Sequence, residues 1–98
     1  MTREEAITRI RAHEAELRAA GMSALYLFGS TARGEAGAGS DVDLSCDLKD
    51  GEPIGLLDFI GMQQHLEAIL GARVDLVESA CLYPRIERHA APDMVRVF

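Results

Sequence analysis

The chain has 98 residues, 48% hydrophobic and 27% charged, a composition that predicts one folded domain over 1–98 and not a disordered tail. Ten basic against sixteen acidic residues leave a net charge of −6, which disfavours direct nucleic-acid binding because counterion release needs a basic surface. A chain this short buries only about 60–65% of its extended surface, so a large enclosed substrate cavity is not expected. No apolar run approaches the roughly 20 residues that cross a bilayer, and Met1-Thr2-Arg3-Glu4-Glu5 does not read as a signal sequence.

The first predicted element is a helix. Thr2 and Glu5 have capping-box spacing, and Ile7, Ile10 and Leu17, with Ala6 and Ala20, keep helical period as far as Gly21. Ala24-Leu25-Tyr26-Leu27-Phe28 is a short apolar run ended by Gly29-Ser30, which predicts a buried strand. Residues 34–40 read as a Gly/Ala-rich loop. Asp41 to Cys46 alternates with period two, so a second strand with one polar and one apolar face is expected. After a turn at Asp50-Gly51 and Pro53, Ile54 to Leu70 carries a broad apolar helical face closed by Gly71. Arg73 to Val77 alternates again and predicts a third strand. A last helix is expected from about Tyr83 to before Pro92, and Val95 to Phe98 as a short edge strand. The order α-β-β-α-β-α predicts an α/β (α+β) layer structure, a small mixed sheet with flanking helices, in which the 54–70 helix crosses between strands two and three.

Three features of this order bear on chemistry. Gly29-Ser30 at a strand end lets backbone and hydroxyl approach a phosphate oxygen, although for the pair taken alone a tight turn with a helix cap is the better account. Period two places Asp41 and Asp43 on one strand face with Val42 and Leu44 on the other, and two such carboxylates can share a divalent cation; solvated acids on a half-exposed strand are the alternative. Asp75 has the same phase in its own strand. If strands two and three are neighbours, it joins the Asp41/Asp43 face. Three carboxylates within about 5 Å repel by roughly 3 kcal/mol per pair at an effective dielectric near 20, a cost that bound cations offset.

Taken together, Gly29-Ser30-Thr31-Ala32-Arg33-Gly34 followed by Ser40-Asp41-Val42-Asp43-Leu44 resembles the G-S-x-x-R-G … S-D-x-D-L signature of the DNA polymerase beta-type nucleotidyltransferase superfamily, in particular its minimal nucleotidyltransferases. The resemblance spans nearly the whole chain. It implies that Gly29 and Ser30 bind the triphosphate of ATP. It further implies that Asp41 and Asp43 hold Mg²⁺ in a two-metal site, and that Asp75 is the third carboxylate, assisting deprotonation of an acceptor hydroxyl. Arg33 contacts phosphate or acceptor on this reading, or pairs with a nearby acid to pin the loop. Larger relatives carry an added domain that grips the acceptor; here a partner would have to bring it. Minimal members are typically encoded with a HEPN-domain ribonuclease toxin, which the nucleotidyltransferase inactivates by moving AMP from ATP onto a tyrosine. The resemblance implies the same antitoxin role, and an acidic chain complements a basic, RNA-binding partner. A module acting by contact alone, or a small-molecule nucleotidyltransferase completed by formation of a homo-oligomer, are the competing readings.

The remaining reactive side chains read as ordinary. His13, His65 and His89 show no ligand spacing, so each is expected to face solvent or pack partly. Cys46 shares phase with Val42 and Leu44 and should be a core thiol. Cys46 and Cys81, without a CxxC, fit free thiols in a reducing cytoplasm.

Overall fold

A computed structural model of the chain describes residues 1–32, 34, 41–51, 53–79 and 94–98, with the backbone alone at Ser30 and Thr31. The chain begins with two short helices, α1 (Arg3–Arg11) and α2 (Glu14–Ala19), where the sequence predicts one. Thr2 caps the first as its spacing foretells, Oγ1 accepting from the Glu5 N–H at 3.1 Å. The break falls at Ala12-His13, where the His13 N–H donates to the Ile10 carbonyl, three residues back instead of four. It lets the two halves pack on different elements. Arg9 of α1 reaches the carbonyl of Leu70 (3.0 Å), while α2 turns Leu17 into the core beside the sheet.

The strands β1 (Met22–Phe28) and β2 (Val42–Leu48) run antiparallel, separated in sequence by the single-turn helix α3 (Gly29–Ala32) and the 34–40 stretch. Of that predicted loop only Gly34 lies among the described residues. A 15-residue helix, α4 (Leu56–Leu70), then returns the chain to β3 (Val74–Glu78), parallel to β2, as the crossover pattern requires. Gly71 ends α4 in the left-handed conformation (φ +64°), its N–H donating to the Glu67 carbonyl at 2.8 Å. The last strand, β4 (Val95–Arg96), pairs with the free edge of β1 and completes a four-stranded mixed sheet ordered β3-β2-β1-β4. The helix expected near 83–92 lies outside the described residues.

The alternation read from the strands is the alternation of the sheet. Val42, Leu44 and Cys46 of β2, Val74 and Leu76 of β3, and Leu25 and Leu27 of β1 are all buried. Ile10, Leu17, Met62, Leu66 and Leu70 cover them from the helices, with Val97 closing the β4 end. Each fully buried leucine contributes about 2 kcal/mol of burial. On the opposite phase Asp43 and Asp75 are left for the site, while Ser45 is buried against the Ser79 hydroxyl. No helix among the described residues is long and apolar enough to cross a membrane.

Candidate active site

The motif residues meet where β1 ends and β2 and β3 begin. Register pairs Phe28 with Asp43 across the antiparallel strands and Asp43 with Asp75 across the parallel ones. Directly paired residues project from the same sheet face with backbones about 4.8 Å apart, so Asp43 and Asp75 lie side by side. Asp41 stands just ahead of β2, two residues from Asp43; it and Asp75 are exposed, and Asp43 is half-buried.

Gly29 takes φ +73°, in the left-handed region that glycine enters at least cost. A Cβ built there would collide with Asp43 Oδ2 and lie 3.3 Å from Asp43 Cβ. Glycine is therefore required twice over, by its dihedral and by a carboxylate seated against its backbone. The chain then coils at once into α3, whose end is tied to α1 by Arg3 Nη1 donating to the Ala32 carbonyl at 3.3 Å. Backbone N–H groups at the start of a turn suit an anionic ligand, and a row of acids beside them suits a cation bridging to it. Arg33 lies outside the described residues.

The site is open, and its carboxylates are not drawn into one point. Among the described residues, the group of three potential metal ligands whose atoms lie within 4.8 Å of one another is His13, Glu16 and His65, not the aspartates. His13 and His65 are partly exposed, as expected, and both turn a ring nitrogen to Glu16 Oε2, at 3.2 and 2.8 Å; His89 lies outside the described residues. His13-x-x-Glu16 was the local sign, at one-turn spacing. His65 arrives from another helix and leaves no trace in the spacing. A mostly apolar cavity of about 390 Å³, lined by Leu48, Ile54, Leu56, Phe59 and Leu76, lies at the far ends of β2 and β3 from the aspartates. Among the described residues that line it, Glu78 alone is charged, and none suits a triphosphate. The strand ends carrying Gly29, Asp43 and Asp75 are the better candidate.

Cys46 is buried on the core face as predicted, and burial, with Glu78 and Asp47 nearby, pushes its thiol pKa up to about 12. It is an inert core thiol.

Known proteins share this sequence pattern and fold. The sequence profile of the nucleotidyltransferase domain matches residues 10–97. The protein adenylyltransferase MntA of Thermococcus cleftensis is 41% identical over 98 residues, covering 99% of this chain and 97% of the relative. A solved structure of a candidate minimal nucleotidyltransferase superposes with TM-score 0.79 at 34% identity, covering 97% of this chain and 95% of the other. The fold is shared as well with a chain from the complex of a tri-AMPylated Shewanella oneidensis HEPN toxin and its MNT antitoxin (TM-score 0.65, 17% identity, covering 99% of this chain and 72% of that one). With its strand-end glycine, its paired aspartates and this profile over nearly all its length, the chain belongs to the nucleotidyltransferase domain family.

Proposed function

We propose that this chain, acting as one domain over residues 1–98 in the cytoplasm, transfers AMP from ATP to a hydroxyl of a protein, and that the protein is a HEPN-type toxin for which it serves as antitoxin. The observation that carries the reading is the register pairing of Asp43 with Asp75 beside a glycine whose backbone is in contact with Asp43. The 41% identical relative named a protein adenylyltransferase supports the reaction, and the fold shared with an antitoxin bound to an AMPylated toxin supports the partner.

The donor set fits Mg²⁺, since it consists of hard carboxylate oxygens on one sheet face. Asp41 and Asp43 would hold the ion, with Asp75 completing the set; Asp41 and Asp75 are exposed, so turning them inward costs about 1 kcal/mol or less of rotamer freedom each. When bound, Mg²⁺ supplies neutralisation of the triphosphate and of the mutual repulsion of the acids. Gly29 seats the Asp43 carboxylate against its backbone, and Gly29, Ser30 and Arg33 contribute phosphate contacts. Asp75 takes the proton from the acceptor hydroxyl. The acceptor oxygen then forms a bond to the α-phosphorus as the bond from that phosphorus to the bridging oxygen of pyrophosphate breaks. The products are an AMP-modified protein and pyrophosphate.

The test is intact-mass spectrometry of the partner toxin after incubation with this chain, ATP and Mg²⁺, followed by a ribonuclease assay on the separated toxin. Transfer predicts the mass of one or more AMP units on the toxin and inactivity that persists after separation. An unmodified toxin that regains activity on separation refutes it and identifies neutralisation by contact.

A further inference from the structure

On the helical side of the molecule three side chains converge that the nucleotidyl chemistry does not use. His13 occupies the N-cap position of α2, Glu16 lies within the first turn of α2, and His65 stands in the C-terminal half of α4. His13 Nδ1 is 3.2 Å and His65 Nε2 2.8 Å from the same carboxylate oxygen, Glu16 Oε2. The rings meet edge to face with centroids 6.0 Å apart. Neither is stacked on the other, and each presents a nitrogen to the shared oxygen. We propose that His13, Glu16 and His65 form a Zn²⁺ site that clamps α2 to α4.

Ligand type and spacing both support the ion. Two imidazoles and one carboxylate are the protein half of a three-ligand zinc site that leaves its fourth position to water. With metal–ligand distances of about 2.0–2.1 Å, tetrahedral geometry separates neighbouring ligand atoms by about 3.3 Å. The observed 3.2 and 2.8 Å need at most half an ångström of opening, and no pair of ligand atoms in the group exceeds 4.8 Å. Imidazole nitrogen selects Zn²⁺ over Mg²⁺, which takes hard oxygens. This centre would therefore not compete for the ion of the aspartate site.

The break between α1 and α2 puts the ligands in place. Release of the helix at His13 sets its ring at the N-cap of α2, where it and His65 of α4 both reach Glu16. In the metal-free form both rings donate N–H to Glu16, whose carboxyl pKa is lowered first by His13 and then by His65. When Zn²⁺ binds, those two nitrogens offer lone pairs to the ion, a neutral ring moving its proton to its other nitrogen and a charged ring releasing one to solvent. The ion then joins segments 49 residues apart in sequence, Glu16 and His65.

Isothermal titration with Zn²⁺ and thermal unfolding of the whole chain test the proposal. One Zn²⁺ per chain is expected, with the unfolding midpoint raised by roughly 10–20 °C at a hundredfold excess over the dissociation constant. His13→Gln and His65→Gln should each weaken binding at least tenfold, and the double variant should lose the thermal shift. Asp41→Asn with Asp43→Asn should keep it. Because the three side chains are each 39–56% exposed, the variants should fold, and circular dichroism checks this. Co²⁺ in place of Zn²⁺ should give a visible d–d spectrum that disappears in His65→Gln. No saturable Zn²⁺ binding, a shift that persists in the double histidine variant, or one lost in the aspartate variant would overturn the assignment.

Discussion

Replacing Gly29 by alanine separates what this glycine does for the fold from what it does for the site. Its φ of +73° costs an alanine about 1–2 kcal/mol of left-handed strain. Gly51 has φ +78° in a turn, and nothing lies within 4 Å of where a Cβ would stand, so Gly51→Ala incurs the same strain and nothing else. At Gly29 the added methyl meets the tip of Asp43, its Oδ2, with Asp43 Cγ at 3.1 Å. That collision is with the end of a side chain, and rotating the carboxylate aside relieves it. Both variants should therefore lose a similar amount, with a fall in Tm of about 4–8 °C per kcal/mol for a domain of this size. Transfer should diverge. Displacing a reacting-site group by about 1 Å can cost a factor of about 100, so Gly29→Ala should drop at least that far while Gly51→Ala stays within about twofold. Label transfer from ATP and thermal unfolding, run on both variants, measure the two effects. A Gly29→Ala protein that transfers as fast as Gly51→Ala would refute the argument that Asp43 must sit against this backbone.

Two further perturbations probe the site and the core. Asp41→Asn with Asp43→Asn should abolish transfer and the extra thermal stabilisation by ATP with Mg²⁺ over ATP alone, yet leave the circular dichroism unchanged; wild-type transfer by this variant would place the reaction elsewhere. Cys46 should resist thiol alkylation at pH 8 until the protein unfolds, as followed by peptide-resolved mass spectrometry. Its folded pKa, raised from 9.0 to about 12, means the buried neutral thiol favours the fold below pH 9, and that contribution is lost as pH rises from about 9 through about 12. Urea midpoints that fall less steeply over that window in Cys46→Ala would match this sign.

The parts of the structure legible in the sequence are those set by local period. Strands β1, β2 and β3 appeared within two residues of their bounds because apolar alternation decides which face is buried. The crossover by α4 followed from its length and its Gly71 stop. The break at His13 was not legible, since neither glycine nor proline marks it; it arises from α1 and α2 packing on different neighbours. The His13–Glu16–His65 cluster was hidden for a related reason. Its members are joined only when the fold brings His65 of α4 to Glu16 of α2, and side chains 49 residues apart carry no mutual spacing signal. Asp43 beside Asp75 was conditionally legible, because phase assigns a face but only pairing assigns a neighbour.

That pairing ties the site to the core. Val42 opposes Val74 and Leu44 opposes Leu76 on the buried face, in the same register that sets Asp43 against Asp75 on the other. A slip of one residue between β2 and β3 would send Asp75 toward the core and Val74 and Leu76 to solvent. Exposing those two side chains would forfeit about 3–6 kcal/mol of burial, and an ionised carboxylate in the core would cost several more. A stability of about 5–15 kcal/mol does not tolerate that loss. The apolar half of the alternation thus holds the register that the acidic half uses. Because the aspartates repel one another, they could not select this pairing themselves; Val42, Leu44, Val74 and Leu76 impose it on them.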